Sequence, residues 1–129
     1  MMQNWKILVT GGSGYLGHHI ALALAESGHE VTILDLIPPP NQIHSAQSNK
    51  LHFIAADICD QEKLVQVFKD KDAVIHSAGF GLSGTSNLPA FNDVTRRVNL
   101  EGTKNVINAC KINKVQTLGR PCFSWHLFH

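Results

Sequence analysis

The chain has 129 residues, and its eleven Lys and Arg against ten Asp and Glu give a formal net charge of +1. This length fits a single domain, because domains commonly take about 100–200 residues. A hydrophobic share of 43% with 16% charged residues allows a packed core and excludes a disordered chain. The basic residues are dispersed, which excludes an electrostatic surface for nucleic acid or anionic lipid.

The cysteines and histidines give no metal or disulfide pattern. Cys59, Cys110 and Cys122 are odd in number and widely spaced, which excludes a zinc ribbon or a secreted disulfide framework. His18 and His19 are adjacent, and adjacent helical side chains point about 100° apart, so the pair cannot chelate one ion. The N-terminus lacks a signal-peptide core, and no apolar run approaches the roughly 20 residues of a membrane span. We therefore expect a soluble, cytoplasmic, metal-free chain.

The first elements are a strand, a helix and a second strand. Ile7–Val9 is all apolar and predicts a central parallel strand that is buried on both faces. From Tyr15 the apolar period is helical, and Gly28 occupies the position of a C-terminal cap. Val31–Leu34 predicts the second strand, which Asp35 ends. The helical residues predicted to share the buried face are Leu16, Ile20, Ala23 and Leu24.

The alternation continues after a proline-rich loop. Pro38–Pro40 forbids helix and central strand alike, so the chain up to Lys50 is predicted as loop. Leu51–Ala56 predicts a third strand, and Ala73–Ile75 a fourth. Between them Asp60 can cap a helix whose apolar face is Leu64, Val67 and Phe68. A glycine-rich loop follows, and then a helix from Asn92 to Asn113 with apolar or small residues at Val94, Val98, Gly102, Val106 and Cys110.

Strands that alternate with helices predict right-handed crossovers and a parallel sheet covered by helices. We therefore predict an α/β, Rossmann-like doubly wound parallel sheet that is truncated after about four strands, in the order 3-2-1-4. Residues 1–115 form this unit.

The segment Thr10–Gly17 predicts a dinucleotide site, because it joins a buried strand to an amphipathic helix. Gly11 permits the tight turn, Gly14 lets a pyrophosphate approach the backbone, and Gly17 lets the helix pack closely on the sheet. The phosphates would then meet unpaired N–H groups at the positive end of the helix.

Further candidate residues stand at strand ends. Asp35 follows Gly17 by eighteen residues, and its carboxylate can accept hydrogen bonds from both ribose hydroxyls and repel a 2′-phosphate. This favours NAD over NADP. Asp57 ends the third strand and suits either an adenine contact or the entry of a helix. His76 ends the fourth strand, either as part of the ligand crevice or as a satisfied structural histidine.

Four segments together resemble the extended short-chain dehydrogenase/reductases over residues 5–115. Thr10–Gly17 resembles the T-G-G-x-G-x-x-G cofactor loop, and Asp57-Ile58 the acidic–aliphatic pair at the adenine. His76–Gly79 is similar to the H-x-A-[AG] run after strand four. Val98–Asn105 resembles the V-N-[VL]-x-G-T-x-N helix signature.

Within that family, Val74–Ala78 and Val98–Lys111 resemble the 3β-hydroxysteroid dehydrogenase/isomerase branch, and Gly81–Gly84 resembles its less characterised allies. The resemblance implies NAD-linked oxidation of a secondary alcohol on a sterol or steroid-like substrate. It also implies that a longer relative can associate with a membrane. Sugar-nucleotide epimerases and dihydroflavonol-type reductases share most of these motifs and remain alternatives. Oligomeric state stays open.

The resemblance also implies roles for individual residues. Asn99 matches the asparagine that stabilises the active site and helps to hold a proton-relay water; a local bond to the backbone is the alternative. Close packing at Gly102 brings this helix against the sheet. The implied cofactor-binding residues are Gly11, Gly14, Tyr15, Leu16, Gly17, Asp35, Asp57, Ile58, His76, Ala78 and Gly79.

The catalytic serine, tyrosine and lysine of the family have no counterpart in these 129 residues. The family uses a tyrosine whose phenol, of pKa about 10, is activated by a lysine four residues later, with a serine nearby. The sequence has one tyrosine, Tyr15, and no Tyr-x-x-x-Lys pair. Pro121 interrupts the expected fifth strand. We therefore predict that residues 116–129 are a divergent tail of a truncated isoform, inactive alone, whose strand four is an open, aggregation-prone edge.

Overall fold

The computed structural model describes residues 4–39, 50–78 and 97–119, which form one parallel sheet with helices on both faces. The strands are β1 (Lys6–Thr10), β2 (Glu30–Asp35), β3 (Leu51–Ala55), β4 (Ala73–His76) and β5 (Thr117–Gly119). Their order is β3-β2-β1-β4-β5, and every neighbouring pair is parallel. The predicted Rossmann-like α/β class and the order 3-2-1-4 are confirmed.

Three α-helices and one π-helical turn accompany these strands in the described segments. They are α1 (Tyr15–Glu26), α2 (Gln61–Val67), the π-helical turn (Arg97–Gly102) and α3 (Thr103–Ile112). The predicted helix from Asn92 therefore begins within the described residues as a π-helix, a wider form that is frequent at functional sites. Residues 92–96, with Val94, lie outside the described residues. Asp60 caps α2 as predicted, since its side chain accepts the Lys63 N–H at 3.3 Å.

The core divides into two clusters because the central strand is buried on both faces. Successive side chains of β1 alternate between the faces, with Leu8 on one side and Val9 on the other. Leu8 packs with residues of α2 and α3, including Leu64 and Val106, whereas Val9 packs under α1. The predicted two-sided burial of β1 therefore holds.

The buried face of α1 differs from the predicted one. Gly17, Ala21 and Ala25 are buried, whereas Leu16 is 48% exposed and Ala23 is exposed. The hydrophobic period favours large side chains, but this helix lies so close to the sheet that glycine and alanine make the contact. The predicted C-terminal cap is present, because Gly28 follows the helix with a φ of +94°.

The sheet has a fifth strand that was absent from the prediction. Thr117–Gly119 pairs with Ala73–Ile75 of β4, so β4 is not an open edge and the aggregation predicted from such an edge loses its basis. A strand of three residues is too short to show a period in the sequence. The predicted divergence of residues 116–129 stays a prediction, and residues 120–129, with Pro121, lie outside the described residues.

Candidate cofactor site

The glycine loop turns directly from β1 into α1. Gly11 has a φ of +67°, which suits glycine, and a Cβ there would lie 2.7 Å from the Ala78 Cα atom. The Gly14 N–H donates to the Gly11 carbonyl oxygen at 3.1 Å and closes the turn. At Gly17 a Cβ would overlap the Gly11 carbonyl oxygen and lie 2.5 Å from the Ser77 Oγ atom. The absence of a side chain at Gly11 and Gly17 lets the loop, α1 and the segment after β4 pack against one another.

Gly14 differs from the other two, because neither packing nor backbone conformation explains its lack of a side chain. Its φ is −75°, which any residue adopts, and the nearest atom to an added Cβ is the Gly11 carbonyl oxygen at 3.4 Å. The space in front of this exposed glycine is therefore open to an external group. The backbone at Gly14 therefore fits a pyrophosphate, which needs to approach the main chain closely.

The first turn of α1 offers donors to such a group. Its first N–H groups, on Tyr15, Leu16 and Gly17, have no acceptor within the helix, and the cap residue Gly14 supplies no side-chain bond. The positive end of the helix dipole adds to the attraction for an anion. The Tyr15 ring is 85% exposed and lies 4.6 Å, between ring centroids, from that of His19.

Asp35 lies beside the glycine loop at the end of β2. Its Oδ2 accepts the Ser13 N–H at 3.1 Å, and its Oδ1 accepts the Leu36 N–H at 2.7 Å. The Ser13 hydroxyl donates to the Ile37 carbonyl oxygen at 2.7 Å. A carboxylate has about four lone-pair sites, so two protein N–H bonds leave capacity for two ribose hydroxyls. The sequence places Asp35 at this rim, but its bond to Ser13 was not predicted.

Asp57 and Ile58 follow β3 and are held against α3. The Asp57 Oδ1 accepts the Cys59 N–H at 2.9 Å. Ile58 is buried, its carbonyl oxygen accepts the Asn105 side-chain N–H at 3.0 Å, and a Cβ on Gly102 would overlap its side chain. The close approach expected between Gly102 and the sheet is thus made to the segment after β3.

His76 is 4% exposed and lies between two threonine side chains. Its Nδ1 is 2.7 Å from the Thr10 Oγ1 atom, and its Nε2 is 3.0 Å from the Thr103 Oγ1 atom. The Ala78 N–H donates to the Thr10 Oγ1 atom at 3.2 Å. This is the arrangement of a satisfied structural histidine, one of the two alternatives left open by the sequence. The predicted contact of His76 with a cofactor stays a prediction.

The remaining predicted residues are placed as follows. Asn99 is exposed and lies in the π-helical turn, while Gly79 lies outside the described residues. Cys110 is buried in the core, and burial raises the pKa of its thiol to about 11, which keeps it protonated and unreactive at neutral pH.

Among residues 4–39, 50–78 and 97–119, no helix is long and apolar enough to span a membrane.

Sequence reasoning missed three polar residues of this region: Ser13, Thr10 as a side chain, and Thr103. Thr10 and Thr103 belong to two motifs that were recognised. A threonine at a position of each motif expected to be buried was therefore the available sign that its hydroxyl needs a partner. Neither motif by itself indicates that one histidine contacts both hydroxyls.

A central strand that leads through a glycine turn into a helix, with an acid at the end of the neighbouring strand, defines a dinucleotide-binding α/β domain. The model of the NAD dependent epimerase/dehydratase family matches residues 7–120. The chain belongs to this family of extended short-chain dehydrogenase/reductases.

Known proteins resemble the chain over most of its length. Short-chain dehydrogenase/reductase family 42E member 1 of Macaca fascicularis is 33% identical over 118 residues, 90% of this chain and 28% of the relative. The 3-beta-hydroxysteroid dehydrogenase of Mycolicibacterium neoaurum is 33% identical over 106 residues, 81% of this chain and 28% of the relative. The chain thus spans little more than a quarter of these curated relatives.

A solved structure gives the corresponding likeness in three dimensions. The crystal structure of a UDP-glucose-4-epimerase from Stenotrophomonas maltophila, with bound NAD and formylated UDP-arabinopyranose, matches with a TM-score of 0.75 and 26% identity. The match covers 91% of this chain and 36% of that one.

Proposed function

We propose that the chain binds the adenosine diphosphate part of NAD at the glycine loop, as the cofactor-binding part of an oxidoreductase. The observation that carries the proposal is the open space at Gly14, directly before the first N–H groups of α1, which have no acceptor within the helix. Packing requires glycine at positions 11 and 17, whereas neither packing nor φ requires it at position 14, where the open space suits a bound pyrophosphate. The family membership and the NAD-bound epimerase structure support the same cofactor.

The residues around the loop divide the binding task. The N–H groups of Tyr15, Leu16 and Gly17 hold the pyrophosphate, and Asp35 accepts hydrogen bonds from the ribose hydroxyls. Its carboxylate repels a 2′-phosphate, and the next residues, Leu36 and Ile37, are apolar. NAD is therefore preferred over NADP. Asp57, Ile58, His76, Ala78 and Gly79 complete the proposed cofactor site.

The proposed reaction is oxidation of a secondary alcohol on a sterol or steroid-like substrate, for which bound NAD supplies the hydride acceptor. The similarity to the mycobacterial 3-beta-hydroxysteroid dehydrogenase and to the family 42E member supports this class. A sugar-nucleotide epimerase is the second candidate, supported by the likeness to the UDP-glucose-4-epimerase structure.

The chain alone is proposed to bind the cofactor without turnover. Its single tyrosine, Tyr15, lies in the glycine loop, and the residue four positions later is His19 rather than lysine. Asn99 is left with a supporting role. NADH formation from a 3β-hydroxysteroid, or epimerisation of UDP-glucose, by the purified chain would refute this part of the proposal.

Calorimetric titration with NAD and NADP tests the site. In Asp35→Asn, which keeps the shape of the side chain but removes its charge, NAD should bind about tenfold more weakly, and the preference over NADP should largely disappear. Glu62→Gln is the control, because Glu62 is an exposed acid in the first turn of α2 and is not among the proposed cofactor-binding residues. An unchanged ratio of the NAD and NADP dissociation constants in Asp35→Asn would contradict the role of Asp35.

The genomic sequence beyond the codon for Val115 tests the proposed divergence of residues 116–129. A reading frame there that encodes a Tyr-x-x-x-Lys pair supports it, and assay of that longer product with a 3β-hydroxysteroid and with UDP-glucose separates the two substrate classes. A continuous message that encodes this tail, with no longer form, contradicts it.

A further inference from the structure

We propose that Thr103 is a positioning residue for the glycine loop, and that it acts through the Nε2–H tautomer of His76 on Thr10. This inference rests on the proposed dinucleotide binding and adds the residue that holds the loop in its binding conformation. Thr103 itself lies on α3 and belongs to none of the assigned cofactor contacts.

The three side chains form a buried chain of hydrogen bonds between three elements. Thr10, His76 and Thr103 are 0%, 4% and 9% exposed, at the ends of β1 and β4 and at the start of α3. Water does not reach these polar atoms, so each depends on its protein partners. A change in one of the three therefore affects the other two.

The contacts of the Thr10 hydroxyl determine the direction of the hydrogen bonds. Among the described residues its Oγ1 contacts the Ala78 N–H, which can only donate, and the Nδ1 of His76. Donation of the hydroxyl proton to Nδ1 is the direction that gives this buried proton an acceptor among these contacts, and it leaves the ring proton on Nε2. His76 thus donates from Nε2 to the Thr103 Oγ1 atom at 3.0 Å.

Thr10 transmits this arrangement to the loop because its backbone is fixed as well. The Ser77 hydroxyl donates to the Thr10 carbonyl oxygen at 2.6 Å, and the Ser77 N–H donates to it at 3.2 Å. Gly11 follows directly and accepts the Gly14 N–H. A displaced Thr10 therefore moves the turn that presents Gly14 and the first N–H groups of α1.

The same chain of bonds reaches the π-helical turn. Thr103 follows Gly102 directly, at the junction of that turn with α3, and Asn99 lies four residues earlier. This chain of hydrogen bonds therefore connects the glycine loop with the π-helical turn that carries Asn99, the residue with the proposed supporting role.

A purely structural role predicts a loss of stability alone, and substitutions at Thr103 separate the two roles. Thr103→Val keeps the shape and removes the hydroxyl, so NAD should bind about tenfold more weakly. Thr103→Ser restores the hydroxyl and should bind NAD within about twofold of wild type. Asn113→Ala is the control at the other end of α3, where the amide donates to the Val65 carbonyl oxygen at 3.0 Å. It should lower the melting temperature and leave NAD affinity unchanged.

Imidazole ¹⁵N–¹H spectra of the wild-type chain give an independent readout, with the His76 signals assigned by their loss in His76→Gln. The Nε2–H tautomer is expected, and an Nδ1–H tautomer overturns the proposal even if Thr103→Val fails to fold. Equal NAD affinity of wild type and Thr103→Val also overturns it, while the proposed function stands. Absence of NAD binding by folded wild-type chain overturns both.

Discussion

At the residue scale, the glycines of the loop share a residue type but not a physical reason for it. Gly17 is required by the packing of the protein, since a Cβ there meets the Gly11 carbonyl oxygen. Gly14 has an ordinary φ and open space before it. The fold thus requires one glycine, whereas the role proposed for the other is to admit a ligand.

This difference gives a paired prediction. Gly17→Ala should destabilise the fold by about 2 kcal/mol, because its Cβ overlaps backbone atoms that cannot rotate away. Gly14→Ala should change the free energy of unfolding by less than about 1 kcal/mol, the scale of an altered N-cap, yet weaken NAD binding. Chemical denaturation and calorimetry measure the two effects. Equal NAD affinity of Gly14→Ala and wild type would remove the ligand-based explanation of this glycine.

How well the contacts of a residue can be predicted from the sequence depends on where its bonding partners lie along the chain. The position of Asp35 follows from the end of a strand pattern, and its place beside the loop was foreseeable from that alone. Its bond to Ser13 and that of His76 to Thr103 join residues 22 and 27 positions apart. Such side-chain bonds depend on how elements are placed against one another, which a single sequence pattern does not contain.

At the element scale, α3 and the π-helical turn before it support the segment after β3. Gly102 provides the space that the Ile58 side chain fills, and Asn105 donates to the Ile58 carbonyl oxygen at 3.0 Å. Asp57, the proposed adenine contact, immediately precedes Ile58. These contacts therefore hold the residue that directly follows this acid.

A double-mutant cycle tests this docking. Gly102→Ala should destabilise the chain by about 1–3 kcal/mol, because the new methyl overlaps Ile58. Ile58→Ala should cost about 2–5 kcal/mol by itself, since it leaves a cavity. Together they should cost less than the sum, because the methyl group added by Gly102→Ala would enter that cavity. Strict additivity of the unfolding free energies would show that the two residues do not meet.

The elements themselves were predicted to different degrees. Strands one to four and the cap of α2 have clear local patterns, and these were found. The prediction for the buried face of α1 was right for Leu24, which packs partly buried against the core. It was wrong for Leu16 and Ala23, which are exposed, because Gly17, Ala21 and Ala25 make the close contact instead. β5 was missed, because its three residues join the sheet through pairing with β4 rather than through a period of their own.

At the scale of the whole molecule, the parallel sheet brings the site residues to one edge. Thr10, Asp35 and His76 each end a strand, and Asp57 follows the end of β3. The carboxyl ends of parallel strands share one rim of the sheet, where ligands of this class of fold bind. Residues distant in sequence thus form one surface beside α1. The hydrogen bonds of His76 to Thr10 and Thr103 join that surface to α3.

Titration of the ¹⁵N-labelled chain with NAD tests the central claim most directly, because each amide reports its own surroundings. Saturable shifts are expected with little change along α2 and smaller shifts at Leu36, and the largest are expected at the N–H groups of Gly14, Tyr15, Leu16 and Gly17. A folded chain with no saturable shifts at millimolar NAD, or with its largest shifts along α2, would contradict it.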